Sequence, residues 1–153
     1  MPTRLVIGMV DNDAFNGSYA KNPFNFKHYN LTQLKLYLDG QQNHIKPIEP
    51  NYDANHFIAA FMSLFTGTGK QWKDEGNDIT RSDYPSGYAL YAFDLTPDLA
   101  EHDHFNLNKE GSLRVHIKLG VALPATINVI AYAEFENVIE IDRSRNVLFD
   151  YGN

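Results

Sequence analysis

Hydrophobic and polar residues alternate along most of this chain, and a period of two puts alternate side chains on opposite faces of a strand. The pattern is cleanest from Ser112 to Leu119 (SLRVHIKL). There Leu113, Val115, Ile117 and Leu119 predict a core face, and Arg114, His116 and Lys118 a solvent face. Leu31 to Asp39 (LTQLKLYLD) sets Leu34, Leu36 and Leu38 on one face, and Asp39-Gly40 then offers a hairpin turn. Arg4 to Asp11 (RLVIGMVD) is an apolar run followed by a stretch crowded with Asn, Asp, Gly and Pro up to Asn25, which predicts a strand and then a long loop. Tyr88 to Leu95 and Thr126 to Phe135 read as further strands, and Val138 to Asp142 with Val147 to Asp150 as a hairpin around Arg143-Ser144-Arg145-Asn146. A short extended piece around His44 to Ile48, flanked by Pro47 and Pro50, suits only a sheet edge, because proline donates nothing to a ladder.

One passage breaks the alternation. From Asp53 to Phe65 (DANHFIAAFMSLF), Phe57, Ile58, Phe61, Leu64 and Phe65 recur at steps of three and four, which predicts a helix capped by Asp53 and stopped at Thr66-Gly67-Thr68-Gly69. Lys70 to Ser86 reads as polar loop. Many strands, one short helix and long connections predict an all-β fold: a jelly-roll-like antiparallel β-sandwich with the helix in a connecting loop. No repeat and no linker divides the chain, so residues 1–153 are read as a single domain.

Composition narrows the chemistry. The 153 residues carry 13 basic and 19 acidic side chains, a net charge of −6, with no basic block, so a surface that tracks nucleic-acid phosphates is not expected. There is no cysteine, which removes disulfides, thiolate metal sites and thiol nucleophiles. Neither a run of about 18 apolar residues nor a secretory leader pattern is present, so the expected location is intracellular unless the protein belongs to a particle.

Each candidate constellation has a plainer explanation. Glu101-His102-Asp103-His104 gathers possible metal ligands, but four consecutive loop residues cannot wrap an ion alone, so no metal site is expected at His102 and His104. Gly67-Thr68-Gly69-Lys70 lacks the remaining Walker residues and follows a helix where a strand is required. Asp11-Asn12-Asp13 lacks the later Gly and Glu of a calcium loop. Glu134, Glu136 and Glu140 are spaced like one exposed strand face, and no nucleophile elbow or ordered triad occurs. No enzyme activity and no cofactor are expected. Asn16-Gly17-Ser18 and Asn30-Leu31-Thr32 are glycosylation sequons that matter only on a secretory route. Phe15, Tyr19, Phe24, Phe26 and Tyr29 put five aromatics in one loop, which reads as loop core, as a subunit contact or as a glycan platform.

Four strings carry a resemblance: VDNDAFNGSYAKNPFNFKHYNL (Val10 to Leu31), LYLDGQQ (Leu36 to Gln42), GYALYAFDLTPDL (Gly87 to Leu99) and INVIAYAEFENVIEIDRSRNV (Ile127 to Val147). Together they resemble the C-terminal part of a family of uncharacterised proteins associated with Polinton (Maverick) and adintovirus-like elements, and the likeness covers nearly the whole chain. The resemblance implies a double-jelly-roll major capsid protein, in which two sandwiches form one subunit and three subunits form a capsomer. It also implies an upstream jelly roll and an opening strand of the second one, ahead of Met1-Pro2. A sandwich short of that strand would leave backbone donors and acceptors unpaired along an edge.

The expectation is therefore a structural subunit of a virion or virus-like particle, acting through self-association or against a companion jelly roll. Phe15, Tyr19, Phe24, Phe26 and Tyr29 are its candidate interface. A carbohydrate-binding β-sandwich is the alternative.

Overall fold

The computed structural model describes residues 1–42, 46–71, 73–96, 111–136 and 139–149. In chain order the elements are β1 (Arg4–Asp11), the single-turn helix α1 (Asn12–Phe15), β2 (Phe26–Lys27), β3 (Leu31–Leu38), β4 (Gln41–Gln42), α2 (Ile58–Thr66), β5 (Ser86–Gly87), β6 (Leu90–Asp94), β7 (Leu113–Leu119), β8 (Ile127–Glu134), β9 (Ile139–Ile141) and β10 (Val147–Phe149). Two three-stranded antiparallel sheets, ordered β6-β1-β8 and β4-β3-β7, make a sandwich, with β2–β5 and β9–β10 as short accessory pairs. Neighbours within the main sheets are mostly far apart in sequence, so the connections cross from sheet to sheet as the long Asn- and Gly-rich loops predict.

Strand parity builds the core. Leu5, Ile7 and Met9 of β1 sit opposite Phe93 and Tyr91 of β6 or the odd-numbered residues of β8, and they face Leu31, Leu34 and Leu36 of β3 across the sandwich. A register shift between Leu31 and Gln33 lets Leu31 share the face of Leu34 and Leu36 despite the odd spacing. In β7 the alternation holds throughout: Leu113, Val115, Ile117 and Leu119 are half-buried against the core, while Arg114, His116 and Lys118 are exposed. The turn at Asp39-Gly40 has positive φ at both residues (51° and 78°), as a tight hairpin demands.

The helix differs from its expected start. Asp53 does not cap it: α2 begins at Ile58 after Phe57, which makes no side-chain capping bond. Residues 52–55 instead form a turn closed by a bridge between Asn51 and His56, and the Asp53 carboxylate accepts a hydrogen bond from Asn30 Nδ2. The helix lies along the open edge of β6. Ser63 Oγ accepts the Ala92 N–H at 3.3 Å, and the Tyr84 hydroxyl donates to the Leu90 carbonyl at 2.8 Å, so two edge-facing backbone groups of β6 are occupied. Contact there is close enough that a Cβ on Gly67 would stand 2.5 Å from the Ala92 carbonyl carbon. Tyr84, in the stretch expected to be polar loop, is fully buried.

Candidate association surface

The loop from Asp11 to Asn30 leaves β1 beside the start of β8, where Asn12 N–H donates to the Thr126 carbonyl. Its five aromatics divide into two groups. Phe26 folds back over the sandwich and packs its ring on the outer face of β1 at Gly8, where a Cβ would lie 2.7 Å from Phe26 Cδ1. Tyr29 packs against the core and its hydroxyl is buried. Phe15, Tyr19 and Phe24 stand in solvent, 56%, 111% and 72% exposed. Both the loop-core reading and the contact or platform reading thus apply, each to different residues.

At the root of this loop the acidic pair is already engaged. Asp11 Oδ1 accepts the Asp13 N–H as the cap of α1, and Lys21 Nζ bridges both carboxylates, at 2.9 and 3.0 Å to Asp11 and 3.1 Å to Asp13. The ammonium holds the Asp11 carboxyl below its usual range and is itself raised. A small cavity of about 190 Å³ opens here, lined by Asp11, Lys21, Asn22, Asn25 and Lys27 among others. Among the described residues no three His, Asp or Glu side chains converge to hold a metal ion. Glu101, His102, Asp103 and His104 lie outside the described residues. Of the three strand glutamates, Glu134 pairs with Arg4 at 2.8 Å and Glu136 is exposed.

A column of rings that the sequence reading did not assemble runs into the core. His28 stacks on Tyr52 (3.9 Å), Tyr52 on Phe57 (5.4 Å) and Phe57 on Tyr84 (6.0 Å), with Arg81 over the Phe57 ring. The Tyr52 and Tyr91 hydroxyls share a 2.7 Å hydrogen bond, and burial pushes the phenols of Tyr52, Tyr84 and Tyr91 upward. These phenols stay protonated and act as hydrogen-bonding cross-links. His28 Nδ1 accepts the Asn30 N–H at 3.0 Å, so that nitrogen carries no proton; burial lowers the His28 pKa, partly opposed by Asp53.

A second set of exposed apolar residues lies on β8 and just beyond it: Val129, Tyr132 and Phe135, at 50%, 62% and 62% exposed. Their sequence signal was available. From Thr126 to Ala133 the strand has no charged residue, although half of its side chains face outward.

No family model matches this sequence, and no solved structure matches it. The chain is similar to an uncharacterised protein of Caenorhabditis elegans, 29% identical over 153 residues, which covers 98% of this chain and 36% of that protein. The chain therefore spans about a third of the length of that relative. Among the described residues no helix is long and apolar enough to cross a membrane.

Proposed function

We propose that this protein is a structural subunit that works by associating with copies of itself, in the manner of the C-terminal jelly roll of a virus-like major capsid protein. The observation that carries this reading is the exposure of Phe15, Tyr19 and Phe24 on one loop. Three large rings in water at one end of a small domain are unfavourable unless another surface covers them. An antiparallel sandwich with crossing connections is the architecture such a role needs. The partners are further copies or a companion jelly roll, in a trimeric capsomer if the resemblance extends to assembly, and the location is a virion or virus-like particle.

The same exposed rings favour one alternative, a carbohydrate platform, since sugars stack on Tyr and Phe faces. Sedimentation velocity over a concentration series with negative-stain imaging separates the two. The subunit reading expects mass to grow with concentration and discrete particles to form. A chain that stays monomeric and binds on a glycan array supports the platform and overturns the subunit.

A further inference from the structure

Four sheet edges bound the sandwich among the described residues, and three are protected against pairing. The β6 edge is covered by α2, with Ser63 and Tyr84 hydroxyls on its backbone. The outer edge of β3 is bridged by Ile48, which exchanges hydrogen bonds with Leu34 (2.9 and 3.1 Å) and is flanked by Pro47 and Pro50. The β7 edge presents Arg114, His116 and Lys118. Proline and charge are the ordinary devices that stop an edge strand from recruiting another strand.

The fourth edge, β8, carries neither from Ile127 to Ala133; its one charge, Glu134 at the end of the strand, is engaged by Arg4. The strand pairs with β1 in unbroken register over eight positions, from Arg4 with Glu134 to Asp11 with Ile127, so no bulge twists it away. Because Asn12 N–H reaches the Thr126 carbonyl, the even residues of β8 turn their backbone groups towards β1. Ile127, Val129, Ala131 and Ala133 therefore turn theirs outward. Val129 lies beside the fully buried Met9 on the core face yet is half exposed, so the core itself is open along this flank.

We propose that β8 pairs antiparallel with β8 of a second copy across a two-fold axis at Ala131, joining two three-stranded sheets into one of six strands. The proposal rests on the subunit reading above and adds to the aromatic loop a second surface through which copies associate. The segment from Ile127 to Phe135 is centred on Ala131, so the outward-turned odd residues pair with one another. Val129 then meets Ala133 of the second copy, and Ile127 meets Phe135. On the opposite face Ile130 meets Tyr132, and Asn128 meets Glu134. No like charges oppose each other, the smallest side chain lies on the axis, and each exposed apolar residue of the segment gains an apolar neighbour. Such a contact is isologous and closes, giving a dimer.

The test uses two variants at one exposed position. Ala131→Lys and Ala131→Glu each put like charges directly opposite at the axis while leaving the β1–β8 ladder untouched. Equilibrium sedimentation of the wild-type chain should give a dimer, and each variant alone should dissociate at least tenfold more readily. Mixing the two should restore the dimer, with circular dichroism unchanged throughout and melting temperatures equal at dilutions where every species is monomeric. Slowed amide exchange at Val129, Ala131 and Ala133 in the wild type, lost in both variants, should accompany this. If the wild type associates and both variants associate equally, the β8 pairing is overturned while the subunit reading stands. If the wild type is monomeric at every concentration, both fall.

Discussion

Phe24 and Phe26, two residues apart in one loop, have opposite roles. The Phe26 ring covers Gly8 on the outer face of β1, so Phe26→Ser should lower stability by up to about 3 kcal/mol, the scale for losing a buried aromatic. Phe24 is 72% exposed, so Phe24→Ser should leave the melting temperature within a degree or two and weaken association instead. Thermal melts and sedimentation of both variants check the pair. The sequence showed that the loop is rich in aromatics but could not separate them. Phe26 is held by its strand pairing with Gly87 and its contact with Gly8, both distant in sequence. His28 gives this end of the molecule an acid sensitivity. Its folded pKa lies below the unfolded value near 6.5, so its contribution to stability is complete above pH 6.5 and is lost as pH falls through the folded pKa. Protonation also breaks the bond from Asn30 N–H to Nδ1. The melting temperature should fall between pH 7 and pH 5, above the range where carboxylates titrate, and His28→Phe should flatten that fall.

Among the elements, α2 shows how a helix can do the work of an edge strand. Ser63 sits on its buried side and supplies the acceptor that Ala92 would otherwise find in a neighbouring strand, and Gly67 lets the helix end lie against the Ala92 backbone. Ser63→Ala leaves a buried N–H unpaired and should cost about 1–3 kcal/mol. Gly67→Ala should cost a similar amount by pushing the helix off the sheet. Urea unfolding of each variant measures both, and a wild-type midpoint in either would contradict the edge-cover role. The strands were legible because period two survives wherever one face is buried: β1 and β7 match their expected limits to within a residue. The start of α2 was not, since Asp53 looks like a cap yet is drawn into a turn and bound by Asn30. Nor was the ring column legible, because His28, Tyr52, Phe57 and Tyr84 come from four separate segments that only the tertiary fold brings into line.

For the whole molecule, the decisive contrast is between one sheet edge and the others. Among the described residues three edges are covered, bridged or charged, and β8 is left without charge from Ile127 to Ala133, regular and half exposed. Charge absence along Thr126 to Ala133 was readable in advance. That the strand is an edge was not, since it depends on which strand β1 chooses as neighbour. The central claim, that the protein functions by associating with itself, is tested most directly by the molar mass of the wild-type chain in equilibrium sedimentation from micromolar to millimolar concentration. The account predicts a mass that rises from one chain to at least two as concentration increases. A mass of one chain, 17.4 kDa, across the whole range would contradict it.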